Sequence, residues 1–370
     1  MQAVILVGGL GTRLRPLTMT LPKPMLPLVN RPFIEYVIKL LKNHGFDEII
    51  LSTGYLPATF DCLKDDFSNI GVKVTCVSES EPLGTCGAVK NIESLIKDTF
   101  VVFNGDILTD INLTHLLEYH RQKQALATLA LTSVDDPTSY GLVPLNSDGH
   151  VKEFLEKPSW DEVTTDLINA GTYILEPEIL SYAPSGENYS FERGLFPLIL
   201  EKGLPLFGFP TSAYWLDIGS PEKYLRAHYD MLDGKVGIGL DMEQVRPGIW
   251  LGKDSKVADS SNLFGPVLIG PNCEIGENVS VTGPTSIGES CVISDGVRVE
   301  SSVILDGCQI SGSSVIKNSI LGRNIEVGRK VHIEECSVLG DNMAVGEENW
   351  LKKGIKVWPD TKIGPGTIKF

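Results

Sequence analysis

Three glycines, an arginine and a lysine near the N-terminus have the types and spacing of a polyphosphate cradle. Gly8, Gly9 and Gly11 follow a short apolar run that predicts a buried strand, and Arg13 and Lys23 come soon after them. Glycine has no Cβ, so its backbone amides approach a ligand closely and form an anion-binding concavity. The spacing is neither that of a P-loop nor that of a dinucleotide fingerprint. It favours a phosphate-binding loop over a flexible surface turn.

Two aspartates stand in apolar surroundings at positions suited to holding a metal ion. Asp106 ends an apolar run, and Asp217 lies between apolar residues and a glycine. A buried acid is costly unless it is paired or bound to a metal, and Mg²⁺ prefers a few carboxylates together with phosphate oxygens. The alternative is that each aspartate caps a helix or turn. For Asp217 this alternative is supported by Ser220-Pro221-Glu222, which resembles a helix start.

Two further stretches predict contacts with a phosphosugar. Glu156 and Lys157 follow the predicted strand Val151–Phe154 and precede a proline. The apolar lead-in and the proline indicate that the end of this strand is fixed in place. We therefore expect Lys157 to contact a phosphate and Glu156 to contact hydroxyls, although a Glu-Lys pair is often only a solvated surface feature. Asn169 supplies an amide just before another predicted strand, beside an open backbone at Gly171. That arrangement suits the recognition of sugar hydroxyls.

The first 230 residues alternate strand and helix patterns. Apolar runs predict strands at 3–6, 48–52, 72–77, 100–104 and 125–131, and helical periodicity predicts helices near 31–44, 57–66, 86–96 and 112–122. This alternation is typical of a doubly wound, mostly parallel sheet covered on both faces. Ligands of such sheets bind beyond the carboxyl ends of the strands, which is where the glycine loop and Asp106 fall. The fold class is therefore α/β, with a Rossmann-like sheet.

From about residue 250 the pattern changes to a period of six. An aliphatic residue recurs at every sixth position from Ile269 to Leu305, and the step resumes from Leu321 to Val345 after a phase slip within 306–320. Such hexapeptide repetition predicts a left-handed parallel β-helix. The expected domains are 1–232, a linker at 233–249, and the β-helix at 250–370.

Charge and composition exclude several classes of partner. The chain has 370 residues and a net charge of −15, which argues against nucleic acid and anionic membranes as main partners. No apolar stretch approaches the roughly 20 residues of a membrane span, and no secretion signal is recognised. Seven scattered cysteines without C-x-x-C pairs favour reduced thiols in the cytoplasm.

These motifs, in their order along the whole chain, resemble those of the sugar-1-phosphate nucleotidylyltransferases, the NDP-sugar pyrophosphorylases. The guanylyltransferase branch, which makes GDP-mannose, is the most similar. The stretches that carry the resemblance are 8–18, Pro22-Lys23-Pro24, Leu83-Gly84-Thr85, Asn104-Gly105-Asp106, 154–158, Asn169-Ala170-Gly171 and 215–219.

The resemblance implies a reaction and a role for each matching residue. A sugar-1-phosphate and an NTP give an NDP-sugar and pyrophosphate, with Arg13, Lys23 and Lys157 as the catalytic cations and Mg²⁺ on Asp106 and Asp217. The implied sugar-phosphate site consists of Gly141, Glu156, Lys157, Asn169 and Gly171. The implied nucleotide site consists of Leu6, Gly8, Gly9, Gly11, Thr12, Arg13, Lys23, Glu79, Gly84, Asn104 and Asp106.

Glu79 bears on the choice of base. It stands five residues before Gly84, where uridylyl and thymidylyl relatives have glutamine. A carboxylate accepts from both N1–H and the exocyclic amine of guanine but cannot donate to a pyrimidine carbonyl, so Glu79 favours GTP, and with it mannose-1-phosphate.

Three alternatives stay open at this point. The substrates could be glucose-1-phosphate with UTP or dTTP, or the chain could be a regulatory subunit that binds nucleotide sugars without turnover. Acyl transfer on the β-helix is disfavoured, because His332 is the only histidine among the repeats. The flat faces of the β-helix favour a homo-oligomer.

Overall fold

The computed structural model describes residues 1–369, apart from the side chains of residues 64–66. By the density of internal contacts, residues 1–9 and 34–215 form one compact unit, and residues 10–33 and 216–370 form a second. The phosphate-loop segment after Gly9 therefore belongs to the same unit as the C-terminal repeats. The domain limits at 232 and 250, which follow sequence order, stay a prediction.

The first unit is built on a nine-stranded mixed sheet. The strands of this sheet are β1 (Gln2–Val7), β4 (Glu48–Thr53), β5 (Lys73–Ser78), β6 (Phe100–Asn104), β8 (Ala127–Ser133), β9 (Gly141–Leu142), β10 (Leu155–Glu156), β11 (Leu167–Leu175) and β12 (Leu206–Pro210). Their order is β10-β9-β11-β6-β1-β4-β5, and β8 joins β11 to β12. The other strands before the repeats are β2 (Pro27–Leu28), β3 (Arg31–Pro32), β7 (Ile107–Thr109) and β13 (Trp215–Asp217).

Parallel pairing explains the continuous apolar runs. β1 pairs in parallel with β4 and β6, and β4 with β5. Ala3, Val4 and Ile5 of β1 are fully buried, as expected of a strand covered on both faces. The Rossmann-like sheet is therefore confirmed, with β11 as an antiparallel addition beside β6.

Among the described residues, six α-helices accompany these strands. The apolar face predicted near 31–44 is buried in α1, where Phe33, Ile34 and Leu41 are almost fully inaccessible. The helix α4 begins after Asn112, whose side chain accepts from the His115 amide. Their bounds are α1 (Phe33–Asn43), α2 (Cys62–Ser68), α3 (Gly84–Asn91), α4 (Leu113–Lys123), α5 (Phe196–Glu201) and α6 (Pro221–Leu232).

The predicted strand Val151–Phe154 is wrong. Val151 forms only an isolated bridge to Leu145. The strand in this stretch, β10, begins at Leu155, after the predicted strand would have ended. The reason lies in the hydrogen bonds, because the amide of Val151 donates to Leu206 and that of Lys152 donates to Pro144. Successive residues thus have different partners, and no ladder forms.

The repeats of the second unit form a parallel β-helix with three sheets of eight, seven and six strands. Its strands are β14 (Gln244–Arg246), β15 (Ile249–Leu251), β16 (Lys256–Val257), β17 (Asn262–Phe264), β18 (Val267–Ile269), β19 (Glu274–Ile275), β20 (Ser280–Thr282), β21 (Thr285–Ile287), β22 (Val292–Ile293), β23 (Arg298–Glu300), β24 (Val303–Ile304), β25 (Gln309–Ile310), β26 (Val315–Lys317), β27 (Ile320–Leu321), β28 (Glu326–Val327), β29 (His332–Ile333), β30 (Val338–Leu339), β31 (Ala344–Val345), β32 (Trp350–Leu351), β33 (Lys356–Val357) and β34 (Lys362–Ile363).

The core register corrects one predicted position. Ile304, not Leu305, joins the packed aliphatic core and pairs with Ile287. The spacing of core residues shortens from six to five between Val299 and Ile304 and again between Ile316 and Leu321. Two short corners therefore replace the single phase slip predicted within 306–320. The inward residues are Ile269, Ile275, Val281, Ile287, Ile293, Val299, Ile304, Ile310, Ile316, Leu321, Val327, Ile333, Leu339, Val345 and Leu351.

Serines and positive backbone angles close these short corners. Ser301 and Asn318 have φ of 46° and 44°, a region that lets the chain turn within one residue. The next residue is a serine each time, and the hydroxyls of Ser302 and Ser319 donate to the carbonyl two residues earlier. These local hydrogen bonds between side chain and backbone stabilise the shortened corners.

No helix among the described residues combines the length and apolar character that a membrane crossing needs.

Candidate active site

In the first unit, the glycine loop meets Glu79 at the ends of the parallel strands. A Cβ on Gly8 would stand 3.5 Å from Glu79 Oε1. The carboxylate is fixed at both oxygens, because Ser52 Oγ donates to Oε1 at 2.9 Å and the Leu83 amide donates to Oε2 at 3.0 Å. Gly9 is exposed with open space around its Cα. At this distance a Cβ on Gly8 would be in van der Waals contact with Glu79, so the two residues are neighbours.

The turn that carries Glu79 is held by a second loop. Gly84, which begins α3, has φ of 70°, and a Cβ there would lie 2.8 Å from the Asn188 side chain and from the Tyr189 carbonyl. Asn188 Nδ2 also donates to the Pro82 carbonyl. A side chain at Gly84 therefore has neither the backbone angle nor the space it needs.

Asn104 and Asp106 lie next to the end of β1. Asn104 is the register partner of Leu6, and the Gly105 amide donates to the Leu6 carbonyl at 3.0 Å. A Cβ on Gly105 would stand 2.7 Å from that same carbonyl oxygen, so glycine is required for this approach. The half-buried Asp106, which follows β6, therefore lies beside the end of β1, the strand that leads into the glycine loop.

The Asn104 side chain has an orphaned atom. Its Oδ1 is buried without a hydrogen-bond partner, and a Cβ on Gly171 would stand 2.7 Å from its Nδ2. Gly171 has φ of 72°. An unsatisfied acceptor of this kind costs free energy, which indicates that a donor from a ligand or water completes the site.

Gly171→Ala tests this close approach. The added methyl group must displace the Asn104 amide and take a strained backbone angle. We expect KM for the NTP to rise about tenfold or more, because Asn104 is assigned to the nucleotide and a displaced amide misplaces it. Steady-state kinetics measure this, with Gly203→Ala as the control, since Gly203 has a similar φ of 65° and open space around it. An unchanged KM in Gly171→Ala beside a similar loss of stability in both variants would contradict the prediction.

Gly141 on β9 and Glu156 on β10 are neighbours, and Lys157 follows directly after β10. Glu156 is the register partner of Gly141, and a Cβ on Gly141 would stand 3.2 Å from Glu156 Oε2. Lys157 is exposed, and its φ of 53° departs from the usual range for a residue with a side chain. Its amide donates to the Tyr140 carbonyl at 2.9 Å. The fold thus holds Lys157 in an unfavourable conformation, which is typical of functional positions.

Asn169 lies inside β11, not before a strand as predicted. The register of β11 against β8 shifts between Asn169 and Tyr173, and this bulge contains Gly171, whose amide donates to Asn169 Oδ1 at 3.0 Å. Bulges re-aim side chains next to active sites. The sequence pattern predicts too late a start for this strand, because the bulge interrupts its alternation.

A buried network behind Asn169 was not predicted from the sequence. Asn169 Nδ2 donates to the Tyr173 hydroxyl at 2.7 Å, and that hydroxyl donates to Glu192 Oε1 at 3.0 Å. Glu192 Oε2 accepts from the hydroxyls of Thr85 and Ser190. Burial raises the pKa of Tyr173 well above its ordinary value, so Tyr173 stays a donor. These residues have no recognisable spacing, and only the fold brings them together.

In the second unit, Lys23 and Arg13 converge on Asp217. Lys23 is almost fully buried, and its Nζ lies 3.5 Å from Asp217 Oδ1, while Lys223 Nζ lies 3.4 Å from Oδ2. A Cβ on Gly219 would stand 2.9 Å from Arg13 Nη2 and 2.9 Å from Asp217 Oδ2. Three cations around one acid leave a net positive charge, as a polyphosphate site requires.

The segment that carries these cations is tightly wound. Gly11 has φ of 58°, and a Cβ there would lie 3.0 Å from the Thr18 methyl and 3.2 Å from Lys23 Cβ. Thr12 is exposed and begins a short 3₁₀ turn that ends at Leu14. The Thr18 hydroxyl donates to the Gly11 carbonyl at 2.8 Å. Gly11 therefore lets the segment fold back onto Lys23.

The donor atoms suit a magnesium ion. Asp217 does not cap α6, because Ser220 does so through the Lys223 amide. The lysine contacts of Asp217 are longer than tight charged hydrogen bonds of about 2.7–2.9 Å, so its oxygens can exchange partners. Among the described residues, no three His, Cys, Asp or Glu side chains cluster as metal ligands. Two carboxylates with phosphate oxygens remain a set that Mg²⁺ accepts, and Asp106 and Asp217 as its ligands stay a prediction.

Two family models match the chain. The nucleotidyl transferase model matches residues 2–234, and the model of the GMPPB C-terminal domain matches residues 263–367. Together they cover both the sheet with its glycine loop and most of the β-helix.

Several curated proteins are similar to the chain. A mannose-1-phosphate guanylyltransferase of Mycobacterium tuberculosis is 41% identical over 63% of this chain, but the chain spans only 65% of that protein, less than two thirds. A probable mannose-1-phosphate guanylyltransferase 2 of Oryza sativa is 33% identical over 100% of this chain and 99% of that protein. A UTP–glucose-1-phosphate uridylyltransferase of Synechocystis is 35% identical over 87% of this chain and 88% of that protein.

A solved structure is similar to the first part of the chain. HddC from Yersinia pseudotuberculosis, complexed with GMP-PN, is 33% identical and superposes with a TM-score of 0.53. The match covers 61% of this chain and 97% of that one.

Proposed function

The chain belongs to the nucleotidyl transferase family, and from this premise we propose that it joins GTP and mannose-1-phosphate into GDP-mannose and pyrophosphate. The observation that carries the choice of substrates is the carboxylate of Glu79, which Ser52 and the Leu83 amide fix next to Gly8. The full-length similarity to a probable mannose-1-phosphate guanylyltransferase of Oryza sativa supports the same choice.

The reaction needs positioned charge more than an activated nucleophile. A phosphate monoester has a second pKa near 6, so the sugar phosphate is already an oxyanion at pH 7. Its oxygen attacks the α-phosphorus, a new P–O bond forms, and the bond to the β-phosphate breaks as pyrophosphate leaves. Two polyanions must therefore be brought together in line and their charge neutralised.

We assign this work to the residues described above. The backbone of 8–11 and Arg13 hold the departing phosphates, and Lys23 contacts the nucleotide phosphates. Lys157 holds the phosphate of the sugar. Its exposed side chain, on a backbone fixed to Tyr140, can reach a ligand without reorganising the sheet. Glu156 and Asn169 receive the sugar hydroxyls, and Asn169 is oriented by Tyr173.

We propose Mg²⁺ as the cofactor, with Asp106 and Asp217 as its protein ligands. When bound, the ion supplies positive charge to the triphosphate. Asp217 then takes part in two roles, since it also orients Lys23 at 3.5 Å.

Guanine is favoured because Glu79 has acceptors only. Each carboxylate oxygen uses one lone pair on a protein donor, Ser52 or the Leu83 amide, and keeps another for the base. Guanine presents two adjacent donors on one edge, whereas uracil and thymine present a carbonyl that a carboxylate would repel. The same contacts prevent the carboxylate from turning away.

Glu79→Gln tests this recognition. The amide donates as well as accepts, so it satisfies a pyrimidine carbonyl and loses one contact to guanine. We expect the ratio of kcat/KM for GTP to that for UTP to fall about tenfold or more, the discrimination typical of a paired base contact. The exposed neighbour Glu81 supplies the control variant, Glu81→Gln. A GTP preference that is unchanged in Glu79→Gln would remove Glu79 from base recognition.

The experiment that tests the whole proposal is a substrate matrix. Pyrophosphate release is measured with Mg²⁺ for GTP, ATP, UTP and dTTP, each paired with mannose-1-phosphate and with glucose-1-phosphate. We expect the highest kcat/KM for GTP with mannose-1-phosphate. A maximum for UTP or dTTP with glucose-1-phosphate would support the second candidate, which the Synechocystis relative favours. Binding without release in every pair would indicate a regulatory subunit.

We also propose that copies of the chain associate through the β-helix and that the enzyme works in the cytoplasm. The seven cysteines are scattered singly and form no C-x-x-C pairs in the sequence, a usage that favours reduced thiols. The β-helix offers long, regular faces for contact between copies.

A further inference from the structure

We propose that Arg323 and Asp341, two residues of the β-helix, are positioning residues for the phosphate-binding segment 10–33 and act through the hydroxyl of Thr20. The proposal deepens the proposed function and rests on it, since it assumes that this segment holds the NTP phosphates. It gives the β-helix a part in the reaction itself.

A three-residue contact joins the segment to the β-helix. The Thr20 hydroxyl donates to Asp341 Oδ2 at 2.7 Å, and Arg323 Nη2 lies 3.4 Å from the same hydroxyl. Thr20 stands three residues before Lys23 in the sequence. A shift of Thr20 is therefore transmitted to Lys23 through two intervening residues, Leu21 and the stiff Pro22.

Asp341 is held in place by burial and by Arg323. Its side chain is only 6% exposed. Arg323 binds it with the guanidinium, through Nε at 3.0 Å and Nη2 at 2.7 Å, and with the backbone amide at 2.8 Å. A buried carboxylate paired in this way is rigid, so it offers Thr20 a fixed acceptor.

The contact at Thr20 is not isolated. Lys356 Nζ donates to the Arg13 carbonyl at 3.3 Å, and Asn30 Nδ2 donates to the Ile287 carbonyl at 2.6 Å. The β-helix thus contacts the segment at Thr20 and also at one residue before it and one after Lys23. Of these three contacts, that of Thr20 is the nearest in sequence to the buried Lys23.

Thr20→Val isolates the effect of the hydroxyl. Valine has the shape of threonine, and Asp341 keeps its Arg323 contacts, so folding is retained. Thr20→Ser keeps the hydroxyl and serves as the rescue variant. Thr367→Val, which removes a threonine hydroxyl bonded to the Gly364 carbonyl elsewhere in the β-helix, is the matched control.

Two readouts are measured on the full chain: GTP affinity by calorimetry and hydrogen exchange of peptides covering residues 12–23. For Thr20→Val we expect about tenfold weaker GTP binding, as for loss of a hydrogen bond to a charged group, with faster exchange in 12–23. KM for the sugar phosphate should stay unchanged, and Thr20→Ser and Thr367→Val should match the unsubstituted chain.

Exchange in 12–23 that is unaltered in Thr20→Val would overturn the proposal. So would a defect in Thr20→Ser equal to that in Thr20→Val, or faster exchange spread evenly over residues 216–369. Failure of the proposed function is distinguishable, because the unsubstituted chain would then release no pyrophosphate, whereas the exchange comparison would still decide whether the hydroxyl holds the segment.

Discussion

Replacement of Lys157 by alanine is expected to lower kcat by about two to three orders of magnitude, the loss typical of removing one preorganised charge from a transition state. Its ammonium group is assigned to the phosphate of the sugar, where charge must be neutralised as the attacking oxygen approaches the α-phosphorus. The side chain is exposed, so the free energy of unfolding should change little.

The control for this variant is Lys152→Ala, which removes another exposed lysine from the same stretch of chain. Steady-state kinetics and thermal unfolding are measured for both variants. Near-normal kcat in Lys157→Ala, or an equal loss in Lys152→Ala, would contradict the assigned role. Lysine and alanine both carry a Cβ, so the φ of 53° at position 157 is unfavourable for both, and Lys157→Ala adds no new backbone strain.

Lys23→Met is expected to lower kcat/KM for the NTP by about two to three orders of magnitude and to destabilise the fold as well. Lys23 is 8% exposed, and its partner Asp217 is nearly as buried. Loss of one buried charge leaves the other less well paired, which costs about 1–3 kcal/mol while Lys223 still contacts Asp217.

Lys223→Met distinguishes the role of Lys23 from that of Lys223, the other lysine that contacts Asp217. Lys223 contacts the other oxygen of Asp217 at 3.4 Å but is about one-third exposed, so solvent screens it and its loss should affect turnover much less. Kinetics with varied NTP and urea unfolding distinguish the variants. Equal losses of kcat/KM in both would show that the lysines act only through Asp217, contrary to the direct phosphate contact assigned to Lys23.

The parts of the fold that depend on local pattern could be predicted from the sequence. β6 was predicted at its observed bounds, because a fully apolar run ending in a polar residue leaves little choice. The core of the β-helix was predicted from its period of six, and the error at Ile304 has a local cause. Both Ile304 and Leu305 are aliphatic, so the shortened corner at Ser301 left no trace in the hydrophobic pattern.

The parts that depend on long-range contacts could not be predicted. Glu192 orients Asn169 through Tyr173, yet nothing in the spacing of these residues indicates a network. The contact of Thr20 with Asp341 joins residues 321 positions apart. Sequence order placed the glycine-loop segment with the sheet, whereas its contacts place residues 10–33 in one unit with the β-helix.

The central claim is that an oxygen of the sugar phosphate attacks the α-phosphorus of the NTP and that pyrophosphate leaves. Mannose-1-phosphate with ¹⁸O in its phosphoryl oxygens, incubated with unlabelled GTP and Mg²⁺, tests this most directly by mass spectrometry of both products. We predict that all of the label appears in GDP-mannose and that pyrophosphate carries none. Labelled pyrophosphate, or labelled inorganic phosphate without a nucleotide sugar, would contradict the account.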